Sequence, residues 1–152
     1  MEGDVLSVER VVAAPPAAVF ALLADCGRHH EIDGSGTVQG TKAGPSGELG
    51  LGSTFGMRMR LGLPYTTSNT VIEFEPDRRI AWQTGVGGFA SRFAGGRIWR
   101  YELEPAEGGT LVRESWDLSQ DKMRGFLRRV AAATTKKNME KTLERIEELT
   151  RA

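Results

Sequence analysis

The hydrophobic and polar positions of the chain follow a two-residue period through its middle and a helical period on either side. The segment DVLSVERVVAA is rich in valine and leucine and predicts a first strand. In APPAAVFALLADC the prolines can open a helix, whose apolar positions recur at helical spacing: Val19, Leu22, Leu23 and Cys26. Because glycine commonly terminates helices, we expect this helix to end near Cys26 and Gly27.

Between residues 36 and 118 the pattern is typical of antiparallel strands. TFGMRMRLG alternates strictly, so that one face carries Phe55, Met57, Met59 and Leu61. TTSNTVIEF and RIAWQT flank the turn EPDR, and GRIWRYELE and GTLVRESWDL flank PAEGG, which predicts two hairpins. In the first hairpin we predict an inward face made of Thr70, Ile72, Phe74, Ile80, Trp82 and Thr84.

The register of the second hairpin follows from hydrophobicity and charge together. The apolar positions of both strands agree if one face carries Arg97, Trp99, Tyr101 and Leu103 beside Val112, Glu114 and Trp116. The other face then carries Arg100, Glu102, Arg113 and Ser115. A shift of one residue would bury those charges and expose both tryptophans, so we reject it.

After Ser119 the period becomes helical. Two apolar stripes, Met123, Phe126, Leu127 and Val130, then Met139, Leu143, Ile146 and Leu149, predict a long C-terminal helix. The segment AAATTKKN between them has few large apolar residues and predicts a shift of phase or a kink in the helix. Ser119 is a candidate N-cap with Asp121 in the first turn. We therefore expect one α+β domain, residues 1–152, whose sheet wraps the helix. Hydroxyl groups on the inward face suggest a pocket between them, and a filled core is the alternative.

Composition limits the classes of partner. The 152 residues contain 20 basic and 20 acidic side chains, which removes the usual electrostatic reason to expect nucleic acid or an anionic membrane. No window approaches the roughly 20 apolar residues of a membrane span. The N-terminus lacks the apolar segment of a secretory signal, and a single cysteine fits a reducing compartment. We expect a cytoplasmic protein, either a monomer or a weak homodimer.

Both histidines lie in CGRHHEIDGSG, where metal-type ligands are densest. Adjacent histidines point in different directions on a helix or strand, so the spacing disfavours chelation. A set of His29, His30 and Asp33 stays geometrically possible in an irregular turn, as does one histidine at a cavity mouth. We expect structural roles for both histidines, no metal and no cofactor.

The glycine-rich segment GVGGFASRFAGG formally matches a dinucleotide-binding motif, but no βαβ unit surrounds it. We predict a mobile loop in which Phe89 and Phe93 reach the entrance of the cavity, with an ordinary β-connection as the alternative.

Glu114 is the most informative single position. Alternation places this carboxylate on the inward face, where it needs a partner, and Arg97 and Tyr101 are within reach. A purely structural ion pair, or a bulge that turns Glu114 outward, remains the alternative.

Several segments in order resemble the START-like (SRPBCC) superfamily, in its polyketide cyclase/dehydrase and lipid-transport branch: VERVVAAPPAAVFALLAD, GTKAGPSGELGLGSTF, TVIEFEPDRRIAWQT, YELEPAEGGTLVRESWD and NMEKTLERIEEL. The resemblance covers essentially the whole chain. It implies a helix-grip fold, in which a seven-stranded antiparallel sheet curves around the C-terminal helix and encloses an apolar cavity. Fold alone assigns no chemistry.

Our leading functional hypothesis is a noncatalytic protein that binds or carries a small hydrophobic molecule, such as a lipid or polyketide-like compound. The alternative is a cyclase/dehydrase-type enzyme in which Glu114, Arg97 or Tyr101 guides proton transfer. A protein-interaction or co-chaperone-like role is a third possibility, although no large exposed apolar stripe supports it. The predicted ligand-binding residues are Phe55, Met57, Met59, Thr70, Ile72, Trp82, Phe89, Phe93, Trp99, Tyr101, Val112, Glu114 and Trp116.

Overall fold

The computed structural model describes residues 1–34, 38–42, 48–61 and 63–151, and for residues 38–42, 57–61 and 63–66 it describes the backbone alone. The predicted side-chain positions of Met57 and Met59 therefore lie outside the described residues.

Seven antiparallel strands form one sheet in the described part of the chain. They are β1 (Val5–Val12), β2 (Val38–Lys42), β3 (Thr54–Leu61), β4 (Leu63–Glu75), β5 (Arg79–Val86), β6 (Ile98–Ala106) and β7 (Gly109–Asp117). Their spatial order is β1-β7-β6-β5-β4-β3-β2, so sequence neighbours pair throughout except where β1 joins β7. The α-helices are α1 (Pro16–Leu23), α2 (His29–Ile32), α3 (Arg124–Val130) and α4 (Ala132–Thr150), with 3₁₀ turns at Cys26–Arg28 and Gly88–Arg92. The predicted α+β architecture is confirmed.

Helix α1 forms as its sequence predicts. Pro16 occupies its first turn, where a missing N–H costs nothing, and Val19, Phe20, Leu22 and Leu23 are buried. The helix ends earlier than expected, at Leu23. The chain then enters the 3₁₀ turn because the Asp25 side chain accepts a hydrogen bond from the Gly27 N–H.

The C-terminal helical region differs from the prediction at its start. Ser119 is not an N-cap, since α3 begins at Arg124. Asp121 is buried instead, and its carboxylate accepts hydrogen bonds from the backbone N–H groups of Arg97 and Met123, at 3.0 and 2.7 Å. The predicted interruption of the C-terminal helix is confirmed at Ala131, which lies between the end of α3 and the start of α4.

Helix α4 buries Met139, Leu143 and Ile146, the second predicted stripe, on the inner side of the sheet. The first stripe behaves differently, because Phe126 and Val130 on α3 are exposed. No helix among the described residues has both the length and the apolar composition that a membrane crossing requires.

A bulge in β4 corrects the predicted face of the first hairpin. Val71 pairs with Trp82 and Phe74 with Ile80, so the register shifts across Ile72. Asn69 and Val71 are therefore buried on the inner face, whereas Ile72 is exposed. The predicted inward positions of Thr70 and Ile72 are wrong, because one extra residue reverses the alternation before Phe74.

The register of the second hairpin is confirmed. Trp99 lies opposite Trp116, Tyr101 opposite Glu114, and Leu103 opposite Val112. On the outer face Arg100 lies opposite Ser115 in the register of the two strands, and Glu102 lies opposite Arg113.

Candidate functional site

A buried carboxyl group lies at the centre of the inner sheet face. Glu114 on β7 and Tyr101 on β6 are direct cross-strand partners, with exposed fractions of only 2% and 4%. The Tyr101 hydroxyl donates to Glu114 Oε2 at 3.0 Å. The predicted contact is thus present through the tyrosine. Arg97 instead pairs with Asp121, whose Oδ2 lies 3.5 Å from the arginine Nε.

Burial decides the protonation state of this pair. It raises the pKa of Glu114 to about 8, against the opposing effect of the Tyr101 hydrogen bond, and the nearby charge of Asp33 raises it further. Burial also raises the pKa of Tyr101 well above its ordinary value, helped by Glu114. Glu114 is therefore mainly protonated at neutral pH. The Tyr101 hydroxyl lies against Oε2, and Oε1 has no hydrogen-bond partner among the described residues.

His29 is a second buried polar group on this face. Its ring stacks on Trp82 at 4.8 Å between centroids and meets Phe55 edge-on at 5.5 Å. Nε2 lies 2.8 Å from the Leu23 carbonyl oxygen, so this nitrogen carries the hydrogen and donates it. Burial lowers the pKa of His29 to about 4, which keeps the ring neutral, and its Nδ1 is an acceptor that no described residue pairs with.

Sequence reasoning did not anticipate that His29 is buried among aromatic rings, and the expectation of a structural role for this residue stays a prediction. The signal was present in the sequence, because His29 continues the helical spacing of the buried positions Val19, Leu22 and Cys26. His30 is exposed, as an adjacent position in a helix should be.

Aromatic rings connect these polar groups. Trp82 lies 5.8 Å from Phe55 and 5.7 Å from Tyr101, and Trp99 stacks on Trp116 at 6.2 Å. The Trp116 side chain is buried, and its Nε1–H has no acceptor among the residues that the structure describes. Within the part of the chain that the structure describes, the inner face thus presents three buried polar atoms without a hydrogen-bond partner: a carboxyl Oε1, an imidazole Nδ1 and an indole Nε1.

A neighbouring polar cluster is, by contrast, internally satisfied. The Thr84 hydroxyl donates to Asn69 Oδ1 at 2.7 Å, and Asn69 Nδ2 donates to the Phe55 carbonyl and the Thr67 hydroxyl, both at 3.3 Å. The predicted inward position of Thr84 is confirmed. Sequence reasoning missed Asn69, because the bulge after Val71 was not recognised.

The other predicted site residues are divided among three environments. Val112 is fully buried, and Trp99 is half-buried. Phe89 and Phe93 project into solvent and pack edge-on against each other at 5.3 Å. Within the described ranges, no three His, Cys, Asp or Glu side chains come together in a metal-binding arrangement.

Comparisons with known proteins agree with the fold. The uncharacterized protein Rv0088 of Mycobacterium tuberculosis is 39% identical over 108 residues, which make up 70% of this chain and 44% of the relative. The match thus spans less than half of that protein's length.

Solved structures resemble the whole chain. The protein CV1439 from Chromobacterium violaceum superposes with a TM-score of 0.73 at 14% identity and covers 98% of both chains. A Polyketide_cyc-like protein, Cgl2372 from Corynebacterium glutamicum, has a TM-score of 0.56 at 23% identity, with coverage of 99% and 92%. A family model, described as polyketide cyclase / dehydrase and lipid transport, matches residues 5–150. The chain therefore belongs to the polyketide cyclase/dehydrase and lipid transport family.

Proposed function

We propose that the protein binds a small, mostly apolar molecule that carries oxygen functions, on the inner face of the sheet. The observation that carries this proposal is the set of three unpaired polar atoms among aromatic rings, on Glu114, His29 and Trp116. A buried polar atom left unpaired costs about 1–3 kcal/mol, so a ligand that pairs with it gains that energy. The aromatic surroundings favour an apolar skeleton.

The types of hydrogen-bonding atom narrow the ligand class. Protonated Glu114 Oε1 and Trp116 Nε1 are donors and suit a carbonyl oxygen, whereas His29 Nδ1 is an acceptor and suits a hydroxyl group. A molecule that carries a carbonyl and a hydroxyl group on an apolar skeleton, such as a polyketide-like aromatic compound, would form hydrogen bonds with these polar atoms and pack against the aromatic rings. Family membership supports such a ligand, since its description includes both polyketide cyclases and lipid transport.

A second candidate function is enzymatic, and one observation favours it. The two buried groups titrate in opposite directions, so that at neutral pH the carboxyl of Glu114 keeps its proton and the imidazole of His29 stays neutral. This is the pairing that a dehydration requires, with a base to remove a proton and an acid to protonate the departing hydroxyl. We do not include Arg97 in this proposed catalytic set, because its guanidinium forms an ion pair with Asp121.

The binding proposal is tested with 2-naphthol and naphthalene, which share a ring system and differ by one hydroxyl group. We expect 2-naphthol to bind stoichiometrically and to quench tryptophan emission, and naphthalene to bind about tenfold more weakly, which corresponds to one hydrogen bond. Equal affinity for both probes would refute the role of the polar atoms, and no binding of either to folded protein would refute the site.

Variants of one residue separate the polar contribution from packing. Glu114→Gln keeps a donor at this position and should retain 2-naphthol binding, whereas Glu114→Met removes it and should weaken binding about tenfold. An enzyme would show a different pattern: Glu114→Gln would abolish turnover while binding persisted, since an amide cannot donate its proton to a leaving group.

A further inference from the structure

Four large apolar side chains project into solvent from two segments of the chain. Phe89 and Phe93, exposed by 71% and 59%, flank Arg92 in and after the 3₁₀ turn Gly88–Arg92. Phe126 and Val130, exposed by 59% and 58%, lie one turn apart on α3. We call these four residues the aromatic surface. Large exposed apolar patches on folded proteins mark sites of interaction with other proteins or with membranes.

Hydrogen bonds hold the two segments together. Lys122, two residues before α3, donates from its backbone N–H to the Gly95 carbonyl at 3.1 Å and from its side chain to the Ser91 carbonyl. Ser91 and Lys122 also line one recess of about 440 Å³ beside the ends of β4 and β5. The 3₁₀ turn and the start of α3 therefore form one continuous end of the molecule.

The charge around the aromatic surface is predominantly positive, with one acidic neighbour, Asp4, whose carboxylate lies 3.7 Å from the Arg128 guanidinium. Exposed cations flank it on both segments: Arg92, Lys122, Arg124, Arg128 and Arg129. The sequence has no acidic residue from 85 to 97 or from 122 to 139, and Asp121 between them is buried against Arg97. The Arg92 guanidinium lies 5.5 Å above the Phe89 ring, so cation and aromatic group are presented together. The zero net charge of the chain conceals this local excess.

We propose that the aromatic surface docks on an anionic lipid bilayer. Exposed phenylalanines partition into the boundary between headgroups and acyl chains, and flanking arginine and lysine side chains bind lipid phosphates. Charge argues against a second copy of this chain as the occupant, because pairing two such surfaces would bring ten cations together around the apolar contact. Docking here goes beyond ligand binding on the inner sheet face and does not depend on it.

The test is cosedimentation of the intact protein with vesicles of phosphatidylcholine alone, or with about one-third phosphatidylglycerol. We expect binding to the anionic vesicles only, and its loss in high salt, because screening removes the attraction of exposed charges. Arg124→Glu combined with Arg129→Glu should weaken binding at least about 25-fold, since each basic residue near the surface contributes about fivefold. Phe89→Ser combined with Phe93→Ser should weaken it by about tenfold or more.

Matched controls use residues of the same type elsewhere on the surface. Arg78→Glu changes an exposed cation in the β4–β5 turn, and Leu51→Ser removes another exposed apolar side chain. Both should bind anionic vesicles like the wild type. The proposal is overturned if folded protein binds neither vesicle, if the controls reduce binding as much as the test variants, or if phenylalanine variants abolish a homodimer in solution without changing lipid binding.

Discussion

Replacing Glu114 by glutamine should change how the stability of the protein depends on pH. The pKa of Glu114 rises from 4.5 in the unfolded chain to about 8 in the fold. Between these values the unfolded chain releases a proton that the folded protein keeps, so the free energy of unfolding falls as pH rises. His29 acts in the opposite sense. Its pKa falls from 6.5 to about 4, so stability is lost as pH drops through that interval.

The magnitudes follow from the two intervals. Each group changes the free energy of unfolding by about 1.4 kcal/mol per pH unit within its interval. Where the intervals overlap, from pH 4.5 to 6.5, the two contributions cancel and wild-type stability is nearly flat. From pH 6.5 to 8 Glu114 titrates without the opposing contribution of His29, and it lowers the free energy of unfolding by about 2 kcal/mol. In Glu114→Gln this decline disappears, and the contribution of His29, no longer opposed, raises stability by about 3 kcal/mol from pH 4 to 6.5.

Urea unfolding at half-unit pH steps measures both curves. The carboxylates whose pKa is lowered by partners, such as Glu73 with Arg100, lower stability as pH falls through their unfolded pKa of 4.5, and they do so equally in both proteins, so the difference between the two curves isolates Glu114. Glu107→Gln, at an exposed turn position, is the matched control and should follow the wild type. Parallel curves for wild type and Glu114→Gln between pH 6.5 and 8 would refute the reasoning from burial.

Three further substitutions test other parts of the site and fold. Tyr101→Phe removes the hydrogen bond that lowers the pKa of Glu114, so the decline in stability should extend above pH 8 in the same urea series. Gly109→Ala should lower the free energy of unfolding by about 3 kcal/mol or more, because φ is 147° and the new Cβ would lie 1.9 Å from a β1 carbonyl oxygen. The control is Gly108→Ala, where a new Cβ meets nothing within 4 Å. It should cost only about 1 kcal/mol, because Gly108 also has a positive φ. His29→Ala should lower stability by about 2–4 kcal/mol in thermal melts at pH 7, since it removes a buried ring stacked between aromatic neighbours, and an unchanged melting temperature would contradict that packing.

The parts of the fold that the sequence predicts best are those where two patterns constrain each other. In the second hairpin, hydrophobic alternation and the facing charges of Glu102 and Arg113 both exclude a shift, so register and the position of Glu114 are recovered together. The first hairpin offers no such check. Ile72 is as hydrophobic as a core residue, and no neighbouring residue in the sequence indicates that a bulge interrupts the pairing of β4 with β5 at this position.

The misplaced residues share a cause in tertiary structure. Asp121 suits the first turn of a helix by its type, yet it bonds to two backbone N–H groups, one of them 24 residues away. Phe126 and Val130 have the spacing of a buried stripe, but α3 is separated from α4 at Ala131 and its apolar side remains in solvent. Periodicity identifies which residues share a face, and only packing decides what covers that face.

The pairing of β1 with β7 has a consequence for how the chain folds. Ser7 lies beside Ser115, 108 residues away, while every other strand pairs with a neighbour in sequence. Closing so long a loop is entropically costly and slow. During synthesis, β1 and α1 leave the ribosome long before their partners on β7 and α4 exist. The meander from β2 to β7 can assemble by local hairpins, but its inner face stays uncovered until α4 is complete. Folding of this chain should therefore be completed only after release of its C-terminal segment, with the N-terminal strand as the segment most exposed to chaperones and to aggregation in the interval.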